Sequence, residues 1–244
     1  MTNATAIIQA RMGSTRLPGK VLMDLGNRSV LARVVQRLER TQLLGKIVIA
    51  TSTLAGDDVI ARECENLGVA WFRGSESDVL DRYYQAAKAH AASVIVRVTS
   101  DCPLIDPELV DDTIRLCLDE KADYGSNVSP RTYPRGLDAE VFTMAALERA
   151  WREARAPHER EHVTPYIWEH PEVFHSVSLT GERDYSQYRW TVDTAEDLQL
   201  VREIYARFAP RDDFRWLEII ALMEREPELA KLNAHIMQKP VHGD

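Results

Sequence analysis

The sequence predicts an α/β fold of three layers, in which helices cover both faces of a mostly parallel mixed sheet. Short runs rich in β-branched residues alternate with amphipathic helical patterns through the first half of the chain, an order typical of parallel sheets. These runs are nearly continuous in apolar residues, as buried strands are. With 244 residues, of which 45% are hydrophobic, we expect a single domain over residues 1–244 with a large core.

Four strands and three helices are predicted in the first half of the chain. The strands lie at residues 5–10, 46–52, 69–74 and 93–101, and the helices at 29–40, 57–68 and 77–92. Ser29 is the predicted N-cap of the first helix, and Gly68 is predicted to end the second. Asp106 followed by Pro107 predicts the start of a further helix, which gives that carboxylate a structural role.

The pattern changes after Asp123. Residues 124–142 are rich in Gly, Pro, Ser and Tyr, which predicts a long loop that leads into a strand. Further on, the patterns predict helices at 143–154, 158–169, 195–208 and 214–225 and strands at 174–180 and 188–193. Thr194 with Asp197 three residues later is typical of a capping box. We expect the region of about 124–190 to be an insertion that serves as a substrate or dimer region.

The composition disfavours several classes of protein. A net charge of −8 disfavours a nucleic-acid binder, whose affinity depends on many Lys and Arg contacts to phosphate. No stretch approaches the roughly 20 apolar residues of a membrane span. The N-terminus lacks a signal-peptide pattern, so we expect a cytoplasmic protein without membrane insertion. The three cysteines are widely spaced, which indicates reduced thiols and offers no zinc-site spacing.

A candidate anion-binding loop follows the first predicted strand. Residues 7–22 read IIQARMGSTRLPGKVL, and residues 1–23 contain three cations, Arg11, Arg16 and Lys20, but no acid. Gly13 and Gly19 allow backbone amides to approach an anion closely. A Walker A loop is excluded, because five residues separate the glycines and a valine follows the lysine. An ordinary solvated connection is the alternative, but the local charge favours phosphate binding.

Two aspartates lie at predicted strand ends. In open parallel sheets, ligands bind outside the carboxyl ends of the strands. This rule selects the opening loop, Asp101 at the end of the strand at 93–101, and Asp193 at the end of the strand at 188–193. Carboxylates there are suited to hold a divalent cation. A lone Asp in a loop is more often a turn residue, but two that converge on one phosphate loop indicate a magnesium–polyphosphate site.

Six polar residues of the middle region are candidates to contact a second substrate: Asn127, Tyr133, Arg135, Asp138, Glu140 and His162. Arg, Tyr and His side chains together can orient an acidic or hydroxylated molecule. The alternative for Asp138 and Glu140 is the polar face of a strand, and for His162 a hydrogen-bonded helix position. The residues alone therefore predict an α/β enzyme that binds a polyphosphate and Mg²⁺, and they leave nucleotidyl, phosphoryl and glycosyl transfer open.

Several motifs resemble those of the CTP-dependent cytidylyltransferases that activate acidic sugars, notably the 3-deoxy-manno-octulosonate enzymes. IIQARMGSTRLPGKVL is similar to their N-terminal signature, SDCPLIDP to their Asp-x-Pro-Leu-x-x-Pro segment, and VDTAEDL to their Val-Asp-Thr-x-Glu-Asp-Leu segment. FRGSESDVLDRYYQAAK, RGLDAEVF and EREHVTPYI resemble the SpsF-like branch, named for spore-coat polysaccharide synthesis. The similarity spans essentially the whole chain.

The resemblance implies a nucleotide-diphospho-sugar transferase-like fold, CTP as co-substrate, Mg²⁺ as cofactor and a homodimer. Matched by position, Arg11 and Lys20 would hold the triphosphate during catalysis, and Asp101 and Asp193 would be the metal ligands. The implied nucleotide site comprises Ala10, Arg11, Gly13, Ser14, Arg16, Lys20, Ala50, Thr51, Gly74 and Ser75.

The acceptor that receives CMP is left open by the resemblance. Ser100 stands where the octulosonate enzymes have Gly, and residues 127–140 depart from their sugar-binding pattern. An acidic sugar of a surface-polysaccharide pathway is the first expectation, and a small phosphonate or another anionic acceptor is the second. A glycosyltransferase of the same fold is disfavoured, because SDCP replaces the Asp-x-Asp motif usual in those enzymes. A non-catalytic CTP-binding protein is the remaining alternative.

Overall fold

One mixed sheet organises the chain in the computed structural model, which describes residues 4–239. Within this range the sheet has seven strands: β1 (Ala4–Gln9), β2 (Leu44–Ser52), β3 (Ala70–Gly74), β4 (Val94–Thr99), β5 (Tyr124–Ser126), β6 (Glu140–Thr143) and β7 (Ser176–Ser178). Their order across the sheet is β3-β2-β1-β4-β6-β5-β7. Strands β1 to β4 are parallel, β6 is antiparallel to both of its neighbours, and β5 and β7 are parallel. The predicted mostly parallel mixed sheet is confirmed.

The same described residues contain ten α-helices: α1 (Val30–Leu38), α2 (Asp58–Leu67), α3 (Val79–Ala89), α4 (Pro107–Asp119), α5 (Met144–Glu153), α6 (Pro157–His162), α7 (Pro165–Glu169), α8 (Ala195–Phe208), α9 (Trp216–Arg225) and α10 (Pro227–Lys231). Short 3-10 turns lie at Lys20–Leu22 and Ala55–Asp57. Among the described helices, none is long and apolar enough to cross a membrane.

Three hydrophobic clusters explain the layers. Side chains of α1, α2 and α4 pack on one face of the sheet, and those of α3, α5 and α7 pack on the other. The third cluster joins α8, α9 and α10 to Trp190 and to the segments around Leu25 and Leu104. The three-layer arrangement predicted from the sequence is therefore present, with an additional helical layer built by the C-terminal third of the chain.

The local signals predicted the helix starts correctly. The Ser29 hydroxyl accepts a hydrogen bond from the Ala32 amide at 3.0 Å, as an N-cap does. Asp106 accepts from the amides of Glu108 and Leu109 at the start of α4. Thr194 and Asp197 form the predicted capping box of α8.

Three predictions for residues 124–180 were wrong. Residues 124–126 are a strand rather than loop, because they pair with β6 on one side and β7 on the other. The predicted helix at 158–169 is two helices, since Pro165 cannot donate the amide hydrogen bond of a continuous helix. The strand predicted at 174–180 is shorter, and β7 covers three residues. Helix α10 was not predicted. The region 124–190 supplies β5 to β7 and α5 to α7 to the common sheet and its covering layer.

Residues 188–193 are extended but do not form the predicted strand of the sheet. Their partners are loop residues: the Arg135 amide donates to the Tyr188 carbonyl at 3.0 Å, and the Val192 amide donates to the Asp101 carbonyl at 2.8 Å. A single parallel bridge joins Arg135 and Arg189. These contacts bring Asp193 next to Asp101, so the segment fixes a site residue although it adds no strand.

Candidate active site

A cavity of about 910 Å³ lies at the carboxyl ends of β1 and β4. Its first wall, called the loop wall, is formed by residues 10–20 after β1. Its second wall, called the far wall, is formed by Arg97, Tyr124, residues 128–140 and the junction of α6 and α7 at 161–168. Because parallel strands end at the same edge, residues distant in sequence meet there.

Lys20 joins the two aspartates that the sequence singled out. Its ammonium nitrogen donates to Asp101 Oδ2 at 2.6 Å and to Asp193 Oδ1 at 2.8 Å. Burial opposes the charge of Lys20, but the carboxylates of Asp101 and Asp193 outweigh it and hold the pKa of Lys20 above its ordinary value. Lys20 is therefore charged at neutral pH, and the three groups form one cluster at the cavity edge.

Two arginines complete the surroundings of Asp193. Arg16 and Arg189 lie 2.9 and 2.7 Å from Asp193 Oδ2. Burial would raise the pKa of Asp193, but Lys20, Arg16 and Arg189 together lower it below its ordinary value. Arg189 is itself fixed by Asp197, whose Oδ1 accepts from its Nε at 2.9 Å. The carboxylate of Asp193 is thus ionised and held in one orientation.

The carboxylates of Asp101 and Asp193 suit a small divalent cation. Each places one oxygen on the same group, the Lys20 ammonium, so both carboxylates face one point at the cavity edge. Carboxylate oxygens are the hard ligands that Mg²⁺ prefers, with water and phosphate oxygens completing its shell. The residues present therefore fit the magnesium site that the sequence predicts.

A buried aspartate fixes the loop wall. Asp57 Oδ1 accepts from the Met12 amide at 2.7 Å, and its other oxygen accepts from the Ser52 hydroxyl. The loop closes on itself through Gly19, whose amide donates to the Met12 carbonyl at 2.9 Å. Gly19 has φ of 73°, a conformation that glycine adopts without strain. This anchoring keeps the loop cations at the cavity.

The far wall contains two ion pairs and one arginine without a partner. Arg97 donates to Glu140, which also accepts from Tyr124 at 2.7 Å and from Thr164 at 2.6 Å. A second pair joins Arg131 to Asp138 through two hydrogen bonds of 2.5 and 2.9 Å. Arg135 lines the same wall, and its guanidinium makes no hydrogen bond or ion pair within residues 4–239. Arg135 is therefore a cation of this wall that no acidic side chain pairs with among the described residues.

One cavity thus contains the loop cations, the two aspartates and the arginines of the far wall, groups suited to bind phosphates, a divalent cation and an anionic substrate. The sequence profile of the cytidylyltransferase family matches residues 5–228. The chain belongs to the cytidylyltransferase family. It is a CTP-dependent nucleotidyltransferase, and its fold is that of structurally similar nucleotidyltransferases.

Three relatives illustrate where this cytidylyltransferase lies within its family. The spore coat polysaccharide biosynthesis protein SpsF of Bacillus subtilis is 38% identical over 237 residues, covering 94% of this chain and 98% of SpsF. The 3-deoxy-manno-octulosonate cytidylyltransferase of Geobacter sulfurreducens is 37% identical over 114 residues, 46% of this chain and 44% of that enzyme. A cytidylyltransferase structure from Leptospira borgpetersenii aligns with a TM-score of 0.90 at 34% identity, covering 98% of this chain and all of that one.

The cytidylyltransferase cavity brings together most of the residues that the sequence singled out. These are Ala10, Arg11, Ser14, Arg16, Lys20, Asp101, Arg135, Asp138, Glu140, His162 and Asp193. Arg11 is half-exposed at the cavity edge and lies 4.0 Å from Glu76. The predicted convergence of the opening loop and the two strand-end aspartates is present in the fold, although the segment before Asp193 is not a strand.

Two acceptor-site candidates lie away from the cavity lining, because their side chains are used elsewhere. Asn127 donates to the Leu137 carbonyl at 2.7 Å and accepts from the Ala139 amide at 2.9 Å, so it holds the start of β6. Tyr133 is buried edge-on against Trp216, with ring centroids 5.5 Å apart. The structure does not bring either side chain to the far wall.

Five nucleotide-site candidates also lie outside the cavity lining: Gly13, Ala50, Thr51, Gly74 and Ser75. Ala50 and Thr51 are buried within β2, and Gly74 ends β3. The Ser75 hydroxyl accepts from the Asp78 amide at 3.0 Å near the start of α3. Their role in binding the nucleotide stays a prediction.

Sequence reasoning missed several residues that line the far wall. Arg97, Tyr124, Arg131 and Thr164 were not singled out, although all four line the cavity. One signal was available: Arg97 interrupts the apolar run VIVRV, and a charged residue inside a buried strand needs a partner. Its partner Glu140 lies directly opposite on β6, a pairing that the sequence could not reveal.

Proposed function

We propose that this cytidylyltransferase transfers CMP from CTP to a hydroxyl of an acidic sugar and releases pyrophosphate, with Mg²⁺ as cofactor. Its relatives support this choice of acceptor. One is named for spore coat polysaccharide biosynthesis, and another for 3-deoxy-manno-octulosonate, an acidic sugar. We infer on this basis that the product serves a surface-polysaccharide pathway.

The observation that supports an anionic acceptor most directly is the unpaired guanidinium of Arg135 on the far wall. Arg131 beside it is neutralised by Asp138, whereas Arg135 has no ion pair among the described residues. Burial, reinforced by the neighbouring Arg131, lowers the pKa of Arg135 below its ordinary value, so a carboxylate there would be favourable. A guanidinium binds a carboxylate through two parallel hydrogen bonds, which also fixes its orientation.

The loop wall would hold the triphosphate of CTP. Arg11, Arg16 and Lys20 are its three cations, and all three line the cavity. Lys20 is held at the cavity edge by Asp101 and Asp193, so its ammonium is oriented before any substrate binds. Charge grows on the pyrophosphate as it leaves, and fixed cations stabilise that charge without reorganisation.

Asp101 and Asp193 would hold the Mg²⁺ ion. When bound, the ion supplies positive charge that stabilises the phosphoryl oxygens of the nucleotide. Lys20, Arg16 and Arg189 lower the pKa of Asp193 and keep it ionised, and an ionised carboxylate is the form that binds a metal. The predicted homodimer and cytoplasmic location stay predictions.

A pyrophosphate-release assay tests the proposed function. Each of the four nucleoside triphosphates is supplied with Mg²⁺ and a panel of acidic sugars and small phosphonates. We expect release with CTP and an acidic sugar, and none with the other nucleotides. Pyrophosphate release with phosphonates and not with acidic sugars would show that the acceptor is a phosphonate. CTP binding without release across the panel would favour a non-catalytic CTP-binding protein.

A further inference from the structure

His162 is presented to the cavity by an unusual turn. The residue after it, Val163, has φ of 75° and ψ of −52°, and the Thr164 amide donates to the His162 carbonyl at 2.9 Å. These values define a γ-turn with positive φ at its centre, a rare and strained conformation. For a β-branched residue such as valine a positive φ is a genuine outlier.

The strained turn is held in place from both sides. The Val163 side chain is fully buried in the cluster formed with α3 and α5. The Thr164 hydroxyl donates to Glu140 at 2.6 Å, which ties the turn to β6. Both His162 and Thr164 line the cavity as a result. Strain of this kind persists where the surroundings over-determine it, and it is concentrated at functional sites.

The imidazole of His162 has no assigned structural task. It makes no hydrogen bond or ion pair with another side chain in the described range 4–239, unlike Thr164, which is bound to Glu140. The charged and titratable groups that act on it are Glu161 and His158 on its own helix, Arg97 on β4 and Glu140 on β6. Burial lowers the pKa of His162 below its ordinary value, and Arg97 adds to this effect. The ring is therefore neutral at pH 7 and can accept a proton.

We propose that His162 contacts the acceptor and takes the proton from the hydroxyl that attacks CTP. This inference rests on the proposed function. The hydroxyl oxygen forms a bond to the α-phosphorus, and the bond from that phosphorus to the bridging oxygen of the β-phosphate breaks. Its electron pair leaves with pyrophosphate. The hydroxyl proton passes to the unprotonated ring nitrogen of His162, which later releases it to water.

The decisive experiment compares pH profiles of kcat/KM for the full chain and two variants, His162→Ala and His162→Gln. We expect kcat to fall about 100-fold or more in both variants, as loss of a general base does, while KM for CTP is unchanged. The natural chain is expected to lose activity on the acid side as His162 gains a proton, below the ordinary range of histidine. This acid limb is expected to be absent from both variants.

Controls separate the imidazole from other titrations. The terminal phosphate of CTP titrates equally in every protein, so the difference between profiles is the readout. His90→Ala is the matched control, because His90 also has a pKa lowered by burial but lies at the end of α3, outside the cavity lining. We expect His90→Ala to keep both the rate and the acid limb. Added imidazole is expected to raise the rate of His162→Ala and not of the natural chain.

Three outcomes would overturn the inference. Turnover of both His162 variants close to that of the natural chain would show that no proton passes to this residue. A reduced kcat with an unchanged acid limb would show a purely structural role for His162. Absence of turnover by the natural chain with every acceptor would remove the proposed function and this inference with it, whereas the first two results leave the proposed function standing.

Discussion

At the scale of single residues, the site is governed by the balance between burial and opposite charge. Lys20 and Asp193 are both mostly buried, which by itself would neutralise each of them. Their mutual contact at 2.8 Å, with Asp101 and Arg16 adjacent, keeps both charged. In this cluster Lys20 and Arg16 are suited to bind phosphate, and Asp101 and Asp193 are suited to bind a metal. Substitutions of single residues can therefore test the two proposed roles separately.

Replacing Asp101 or Asp193 by Asn is expected to slow CMP transfer by at least about 100-fold, which corresponds to roughly 3 kcal/mol of barrier. Asn keeps the shape of the side chain but removes the negative charge that a magnesium ligand needs. The measurement is kcat for pyrophosphate release at limiting Mg²⁺. Asp112→Asn is the control, since Asp112 forms only an exposed pair with Arg115. Turnover of Asp101→Asn or Asp193→Asn close to that of the natural chain would disprove the assignment of these residues as metal ligands.

The stability contribution of Asp193 is expected to depend on pH with a definite sign. Its pKa is lowered in the folded chain, so the contribution is complete above the ordinary value of 3.8 and is lost as pH falls through the folded value. Without metal or nucleotide, Asp193→Asn is expected to reduce the free energy of unfolding by about 2 kcal/mol at pH 7.

Urea unfolding at pH 7, 5 and 3.5 checks this expectation. The difference between the natural chain and Asp193→Asn should be equal at the two higher values and smaller at the lowest. Asp213→Asn removes an exposed partner of Arg211 and should change stability by less than about 0.5 kcal/mol. A difference that stays constant over the whole range would mean that Asp193 is not stabilised by its cationic neighbours.

At the scale of elements, the site depends on irregular segments more than on the sheet itself. Asp193 is placed by the extended segment 188–193, and His162 by a γ-turn between α6 and α7. Gly136 allows segment 188–193 to pack closely against the loop that contains Arg135. A Cβ at this position would lie 2.6 Å from the Thr191 amide nitrogen, and its φ of 102° disfavours every other residue type.

Gly136→Ala is therefore expected to displace segment 188–193 and to lower both stability and activity. The added methyl group meets backbone atoms, which cannot rotate away, so we expect a loss of at least about 2 kcal/mol in unfolding free energy. Chemical denaturation and pyrophosphate release measure the two effects. Gly56→Ala, where an added Cβ meets no atom within 4 Å, is the matched control. Equal behaviour of the two variants would show that the close approach at Gly136 is unimportant.

The sequence-based predictions were correct where an element is formed by contacts between residues close in sequence, and wrong where it depends on residues far apart in sequence. The caps at Ser29, Asp106 and Thr194 were predicted because their partners lie within three residues. Residues 188–193 were wrongly predicted as a strand, because their partners around Arg135 and Asp101 are 50 residues or more away. Periodicity reports whether a segment is extended, and the identity of its neighbours decides whether it joins a sheet.

At the scale of the whole molecule, an acidic chain brings several cations to one cavity. The net charge is −8, yet Arg11, Arg16, Lys20 and Arg135 all face this cavity. Anion binding by the opening loop could be predicted, because its three cations lie close together in sequence with no acid between them. The arginines of the far wall come from β4 and from residues 131–135, and only the fold brings them to the same cavity as the loop.

From this charge distribution we expect CTP and Mg²⁺ to bind together and to stabilise the folded chain. A ligand that binds only the folded chain stabilises it by about 2.7 kcal/mol at 100 times its dissociation constant. For a chain of this size the melting temperature should rise by roughly 5–10 °C with CTP and Mg²⁺. With CTP and EDTA the rise should be smaller, because the triphosphate charge then faces the carboxylates of Asp101 and Asp193 without a bridging cation.

Thermal unfolding at fixed CTP concentration measures this linkage, with ATP at the same concentration as the control for nucleotide specificity. Asp101→Asn should reduce the effect of adding Mg²⁺, because one of the two proposed ligands is gone, while part of the CTP effect should remain through Arg11, Arg16 and Lys20. An equal rise with Mg²⁺ and with EDTA in the natural chain would contradict a shared magnesium–nucleotide site. A rise with Mg²⁺ alone but not with CTP would instead place the metal site apart from the loop cations.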